Sequence, residues 1–507
     1  MSSWSLGYRT DIDYTYGFYR ELTPAMLSFA ALLGGVRSTL SGPFTYCELG
    51  CGKGFSTNLF AAANPDATFY ATDFNPGHTA EARALAAESK LCNAHFFDAG
   101  FEEFAGHELP QFDAIVAHGV LSWIGDEARR ALIRFIGRKL KIGGIVYVSY
   151  NALPGSAAMA PIRDLLMGHA AGAQDPIERR IERALDFAQK LKAAGALHFH
   201  HNPAAANRLE RLRTQSPKYI AHEYLNADWK LFHHGDMVRE LSEAKLSFVA
   251  SGYILDHAIG ANLTPPQREV VTAIQDPVLR EMARDYCVNQ QFRRDVFVKG
   301  PLAHDLHQQA QRIADQRFVL STPTATGTET TIKSAAGEVK LKEEMYRPIL
   351  EALEQPRTMR ELMAMPAGKL QPHGRLREML TLMVGAGYVQ PCPEAPGDSA
   401  RAVGTASFNL AVAERAARTG ELQYFASPVT AGGHPVDRMS QLFQLGVWNG
   451  QTDLPGYAWG RLQALGQSLS REGKRLETPE ENMAAVKQAF DKYQAEVLPV
   501  LKRLGAA

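Results

Sequence analysis

Glu48, Gly50, Gly52 and Gly54 fall at every second position, and Asp73 follows nineteen residues past the last glycine. Glycines at this spacing leave the peptide bare, so another molecule can lie directly against it. A carboxylate beyond such a turn can accept two hydrogen bonds from a ribose diol. It can equally cap the helix that Asn75-Pro76 starts. After the next strand, Asp98-Ala99 offers an acceptor for an adenine amino group, with Phe74 or Phe101 against the ring face. The chemistry suggested is the binding of a nucleoside-containing cofactor.

A second group of residues could face whatever reacts with it. Tyr8, Tyr14, Tyr16, Phe18 and Tyr19 are interleaved with Thr10, Asp11 and Asp13. They form either an arm that buries its rings on the core or a flap that presents hydroxyls to a ligand. His118-Gly-Val-Leu-Ser-Trp123 follows a later apolar run, and Tyr150 ends the next one. The stretch Ser216–Asn226 concentrates Tyr219, His222, Glu223 and Tyr224, as a polar bridge or as part of an acceptor pocket. The five cysteines show no metal-ligand spacing, so no metal is expected and a reducing compartment is. Basic and acidic residues balance at 54 each, which gives no whole-chain attraction to nucleic acid or an anionic membrane. The apolar run from Pro24 to Val36 is too short to span a bilayer. A soluble, cytoplasmic protein is expected.

The elements that must hold these residues alternate. Strands are predicted at Phe44–Glu48, Thr68–Asp73, His95–Asp98, Phe112–His118 and Ile145–Tyr150, and helices at Ser56–Ala63, Gly77–Ser89 and Asp126–Leu140. That order predicts a doubly wound parallel sheet, whose ligand lies across the carboxyl ends of the strands. Residues 157–214 read as a helical insertion. A helix at His234–Ala244 and strands at Leu246–Leu255 and Gln291–Lys299 then complete seven strands, the last antiparallel. The expected division is an α/β domain over 1–300, whose segment 215–300 completes the sheet, followed by a linker over 301–340. A winged-helix-like module over 341–392 and a helical region over 393–507 follow. The module has seven Lys/Arg against six Asp/Glu, with His373, Arg375 and Arg377 on its third helix. A DNA reader would carry a clearer basic face, so packing or docking is the favoured use.

Two cofactors fit the geometry: a nicotinamide or flavin dinucleotide, and S-adenosylmethionine. The dinucleotide fingerprint sets its third glycine three residues after the second, whereas here the interval is two. Glu48-Leu-Gly-Cys-Gly-Lys-Gly54 resembles motif I of the class I S-adenosylmethionine-dependent methyltransferases, acid included. The resemblance implies a Rossmann-like seven-stranded methyltransferase sheet, with Glu48, Gly50, Cys51, Gly52 and Gly54 under the cofactor and Asp73 on its ribose. Phe74, Asn75, Asp98, Ala99, Phe101, His118 and Gly119 complete the expected cofactor contacts. S-adenosylmethionine has no pyrophosphate, so no helix N-terminus is reserved for one.

Further motifs extend the likeness over the first 300 residues. They are Thr10–Pro24, His118–Ile124, Tyr150-Asn-Ala-Leu-Pro-Gly155, His222–Asn226 and Asn289-Gln-Gln-Phe-Arg-Arg-Asp295. Together they resemble the bacterial methyltransferases that carry a methyltransferase regulatory domain, among them the rickettsial outer-membrane-protein lysine methyltransferases. That likeness implies a protein substrate with a lysine acceptor. Methyltransferases acting on amide or exocyclic base nitrogens usually carry Asp/Asn-Pro-Pro-Tyr/Phe after the fourth strand, and this chain does not. His118 is expected to line the cofactor and relay a proton, and Trp123 to form an aromatic wall. Tyr14, Tyr16 and Tyr150 are expected around the acceptor. Alternatives are a small-molecule O- or N-methyltransferase and a non-catalytic cofactor-binding regulator. The amphipathic stretch Glu480–Leu504 is expected to close the domain or form a homodimer interface.

Overall fold

The apolar runs of the first 300 residues become one sheet because each is bounded by residues that stop a strand. β1 (Thr45–Leu49) ends at Gly50, β2 (Thr68–Asp73) before Asn75-Pro76, β3 (Ala94–Asp98) before Gly100 and β4 (Phe112–Ala117) at His118-Gly119. β5 (Leu140–Asn151), β6 (Leu246–Ser251) and β7 (Phe292–Lys299) complete the order β3-β2-β1-β4-β5-β7-β6, with β7 antiparallel to both neighbours. This is the Rossmann-like methyltransferase sheet that the sequence predicts. The computed structural model describes residues 16–171, 175–323, 331–369, 371–393, 398–471 and 474–507.

Strand side chains alternate between the two faces, and the two faces have different covers. One carries Tyr46, Phe69, Val116, Tyr147 and Val296 beneath α1 (Pro24–Leu33), α2 (Phe55–Ala63) and the C-terminal part. The other carries Leu49, Ile115, Val148, Tyr150 and Phe297 beneath α4 (Phe101–Ala105), α5 (Asp126–Lys139) and the helix His234–Ser242. α3 (Pro76–Glu88) packs Ala82 and Ala86 on Ala71 and Phe96. β6 is shorter than its apolar run. After Ser251 the chain turns at Gly252 into the short helix Ile254–His257, and the Ser251 hydroxyl binds Asp256 (2.6 Å) and the amide of Tyr253 (3.2 Å).

Between β5 and β6 lies the predicted insertion, with helices Ala160–Ala170, Ile177–Ala193, Leu197–His201 and Pro203–Leu212 around a core of its own. Its root is the Asn-Ala-Leu-Pro-Gly motif. The amide of Ala152 donates to Gln291 O (2.8 Å) and that of Gly155 to Gln290 O (3.0 Å). A Cβ on Gly155 would strike the carbonyls of Asn289 and Gln290, which accounts for the glycine. The following segment is fastened by a buried ionic cluster. Arg293 donates to Asp295 (3.0 Å), Asp285 (2.6 Å) and Glu281 (2.9 Å), and Asp295 also meets the Tyr150 hydroxyl (2.6 Å) and His234 Nδ1 (3.0 Å). Burial pushes the Asp295 carboxyl up, but Arg293, His234 and Tyr150 hold it down at about 2.

The stretch 301–340, expected as a linker, carries regular structure over much of its described length. Asp305 caps the helix Leu306–Asp315, the strand Arg317–Leu320 follows, and Thr331–Ser334 pairs with Gly337–Lys340 as a hairpin. Strand Arg317–Leu320 matters downstream: it is the centre of a three-stranded sheet with Arg357–Thr358 and Val389–Cys392. In the region expected as a winged-helix-like module, Arg357–Thr358 is followed by helices Met359–Ala364, Pro366–Lys369 and His373–Ala386 and then by Val389–Cys392, and the central strand of its sheet comes from upstream. Its third helix, His373–Ala386, buries Leu376, Met379, Leu380 and Met383. A Cβ on Gly385 would lie 2.6 Å from the Leu255 backbone, so this helix packs against the sheet domain. Arg375 is engaged by Glu378 at 3.0 Å. The C-terminal amphipathic stretch breaks into Pro479–Lys492, Tyr493–Val497 and Leu498–Arg503, with Phe490 and Tyr493 on Phe443 of the same chain. The face that suggested a dimer is used internally. Among the described residues no helix is long and apolar enough to cross a membrane.

Arg293 is 2 % exposed, so its loss leaves buried carboxylates without a counter-charge. Arg293→Ala is expected to lower unfolding free energy by about 3–5 kcal/mol, measured by urea denaturation. A change below about 1 kcal/mol, within the range of an exposed pair, would refute the fastening role.

Candidate active site

The glycine loop turns because its residues adopt left-handed backbone: Gly50 at φ +76°, Gly52 at +53° and Gly54 at +64°. A Cβ on Gly50 would come within 2.6 Å of Val120, and one on Gly54 within 2.7 Å of Phe96. The loop's amides point inward. Those of Gly50 (2.8 Å) and Cys51 (3.1 Å) donate to Thr72 O, and that of Gly52 donates to Asp73 Oδ2 (2.9 Å). Asp73 is buried. Its Oδ1 also accepts from the amide of Asn75 (3.0 Å) and faces His78 Nδ1 (3.2 Å). Asn75 caps α3 through the amide of Gly77 (2.9 Å), so capping falls to Asn75 and Asp73 is free of that duty. Thr72 Oγ1 reaches across to Ala99 O (2.6 Å) and ties the second and third strand ends together.

These observations test which cofactor the donor set suits. A pyrophosphate needs free amides, but three successive ones here are committed to protein acceptors. The strand ends instead supply carboxylates: buried Glu48 and Asp73, and exposed Asp98, which lies 3.4 Å from Arg83. Gly100 and Gly119 have open space where a Cβ would stand. Phe74 and Phe101 are half-buried beside these ends. An acidic cradle with bare backbone suits a cationic nucleoside, not a pyrophosphate.

Across the cradle, β4 ends in His118. Its ring stacks on Tyr19 (3.7 Å between centroids, 26°), and its Nδ1 lies 3.0 Å from the Tyr147 hydroxyl. Burial, with the Arg294 charge nearby, holds the imidazole down at about 3. A ring so weakly basic is neutral at physiological pH, so His118 can orient a group without carrying charge. The Gly119 amide donates to Ser149 Oγ (2.8 Å). Arg294 pairs with Glu21 (3.5 Å) and covers Tyr253 and Phe292. Tyr16 lies over Phe55 and donates to Glu81 (2.9 Å), with Lys53 Nζ 4.7 Å from its ring centre.

Other expected site residues fall elsewhere. Tyr150 is fully buried and donates to Asp295 (2.6 Å) on the opposite face of the sheet, so it does not line an acceptor site with His118. Strand alternation causes this, since Ala117 pairs with Val148 and brings Tyr147 and Ser149 to the His118 side. Trp123 is 7 % exposed, with its indole N–H lacking an acceptor among the described residues, so it is more a support for the loop than an open wall. His222 is buried, and Tyr224 accepts from Arg208 (2.9 Å). Tyr14 lies outside the described residues. Among the described residues no group of three His, Cys, Asp or Glu could hold a metal ion. Tyr147 and Arg294 were not singled out from sequence; the strand register that pairs them with His118 is not written in either strand alone.

Glu48 accepts a hydrogen bond from Thr57, yet burial lifts its carboxyl from 4.5 to about 7. Its neutral form is favoured in the fold. The corresponding stability is therefore complete below the ordinary carboxyl value and is lost as pH rises through about 7. The loss is on the order of 3 kcal/mol. Glu48→Gln is expected to flatten the fall in thermal midpoint between pH 5 and pH 7.5, and an unchanged slope would show that Glu48 is not its source.

Comparison with known proteins places this geometry. A methyltransferase domain matches residues 47–146, and a predicted methyltransferase regulatory domain matches residues 216–299. The sll1526 protein of Synechocystis is 41% identical over 505 residues, 99% of each chain. The RP789 protein of Rickettsia prowazekii is 27% identical over 295 residues, 58% of this chain and 52% of its own. The structure of PKMT2 from Rickettsia typhi in complex with AdoHcy is 16% identical, covers 97% of this chain and 100% of its own, and superposes with a TM-score of 0.72. That likeness extends the shared fold through the C-terminal part. With the acidic glycine cradle, the methyltransferase domain identifies the cofactor as S-adenosylmethionine. The chain belongs to the S-adenosylmethionine-dependent methyltransferases that carry a methyltransferase regulatory domain.

Proposed function

We propose that this methyltransferase modifies lysine side chains of a protein substrate. The observation that carries the reading is the neutral His118, held between Tyr19 and the Tyr147 hydroxyl with the Arg294 charge close by. Gly50, Cys51, Gly52 and Gly54 would hold the amino-acid part of the cofactor, and Asp73 its ribose. Phe74, Asn75, Asp98, Ala99 and Phe101 would surround the adenine, with Glu48 and Gly119 beneath. When bound, S-adenosylmethionine supplies an activated methyl group on a sulfonium.

What remains is the work of the chain. An acceptor ammonium has an ordinary pKa of about 10.4 and must lose its proton before it can attack. The desolvation and positive field that depress His118 act in the same direction on a nearby ammonium. His118 then serves as an uncharged guide for the amine, and it adds no repulsion toward a cationic cofactor. Tyr16 and Tyr19 exclude water from above, and the buried Trp123 holds the loop after β4 in shape. Positioning and dryness supply most of the catalysis in such a transfer. The insertion 157–214 rises from the carboxyl end of β5, and Lys218 beyond it reaches Glu421 of the C-terminal part at 3.5 Å. An insertion of this size suits a macromolecular acceptor better than a small one.

Incubation of the protein with methyl-labelled S-adenosylmethionine and a cell lysate should place label on lysine in protein bands. Label confined to extractable small molecules would favour a small-molecule enzyme, and cofactor binding without transfer would favour a regulator. Transfer should accelerate from pH 7 to 9 as the amine loses its proton, with no inflection near 6.5, because His118 is already neutral there. His118→Phe should lower kcat/KM about 10- to 100-fold, and wild-type rates in that variant would remove His118 from the acceptor site.

A further inference from the structure

The residues Tyr16 to Tyr19 form a strap across the strand ends. Tyr16 begins it over Lys53 and Phe55, Ser56 Oγ donates to Gly17 O (3.1 Å), and Tyr19 finishes it on His118. It therefore touches both the cofactor loop and the end of β4. The strap is held from a distant part of the chain. Arg415, 8 % exposed on the helix Asp398–Ala416, grips Glu88 of α3 with two donors (2.6 and 2.9 Å). Its third nitrogen reaches Glu81 Oε2 (3.4 Å), the same oxygen that accepts from the Tyr16 hydroxyl (2.9 Å). Glu81 and Glu88 lie two turns apart on one face of α3. A guanidinium fork fixes such a pair in direction as well as distance. Independently, Phe18 packs on Tyr424 (4.6 Å between centroids), and a Cβ on Gly433 would strike Phe18 at 2.6 Å. Both anchors come from beyond residue 398.

We propose that Arg415 is a positioning residue for the cofactor site: it fixes Glu81, Glu81 fixes the Tyr16 hydroxyl, and the strap is thereby held across the glycine loop. A C-terminal helix thus tunes cofactor affinity without touching the cofactor. The inference needs the cofactor site but not the lysine acceptor.

Binding of S-adenosylhomocysteine to the full chain by calorimetry, together with amide exchange of residues 17–19 in the cofactor-free protein, tests this. Arg415→Gln and Tyr16→Phe should each weaken binding about 5- to 10-fold. The double variant should be no weaker than the singles, because both break one linkage. Arg415→Gln should also speed exchange of the strap while leaving the thermal midpoint close to wild type. Affinity within twofold of wild type, or singles that multiply in the double variant, would overturn the proposal. If Arg415→Gln does not fold, Glu81→Ala removes the same linkage from α3 and is read the same way. Absence of binding in the wild type would count against the cofactor, and strap exchange would still decide the Arg415 linkage.

Discussion

Arg293 and Arg294 are neighbours in β7 and serve opposite faces of one sheet. Strand geometry allows nothing else, because successive side chains must point to opposite sides. Arg293 turns toward the face with Tyr150 and Phe297, where it is surrounded by Asp295, Asp285 and Glu281. Arg294 turns toward the face with Tyr147 and Val296, where it meets Glu21 and depresses His118. One arginine therefore fastens the regulatory segment, and the next sets the charge of the active-site rim. The same alternation brings Glu48, Asp73 and His118 to one side and carries Tyr150 to the other.

Fastening and function are thus separated by the thickness of the sheet. On the Arg293 side the charges are desolvated and mutually paired, an arrangement that is costly to break and gives specificity more than net stability. On the Arg294 side Tyr19, His118 and Arg294 are half-buried, with His118 stacked on Tyr19 and the hydroxyls of Tyr16 and Tyr147 engaged by Glu81 and His118. The regulatory segment spans both, since β7 lies between β5 and β6 and supplies both arginines.

Much of the cradle was legible in the sequence because it is local. The glycines, Glu48 and Asp73 lie within one strand–turn–helix–strand unit, where spacing and conformation are nearly the same thing. The succession of strands and helices from β1 to β5 was legible for the same reason. Tyr150 was misread because its position at a strand end is visible, whereas the face it takes depends on register with β4. The 301–340 stretch was misread because its central strand is short and finds its partners near residues 357 and 389. Arg415 and Glu81 are separated by 334 residues, and no periodicity connects them. Contacts of that kind follow from topology, not from local pattern.

All nine residues of α2, the helix that begins at the glycine loop, are buried. One side rests on the sheet, and the other meets the helix Asp398–Ala416, where Gly404 lets the two backbones come together at Ala62. A surface helix normally keeps a polar side for water, and this one has Phe55, Leu59, Phe60 and three alanines with no solvent face. A chain cut after the seventh strand would bare that surface, at about 25 cal/mol for each Å² of apolar area exposed. The catalytic unit is consequently not a portable cassette. Its helix α2 has been fitted to the far end of the polypeptide, so exchange of the two halves between relatives would have to carry both surfaces together.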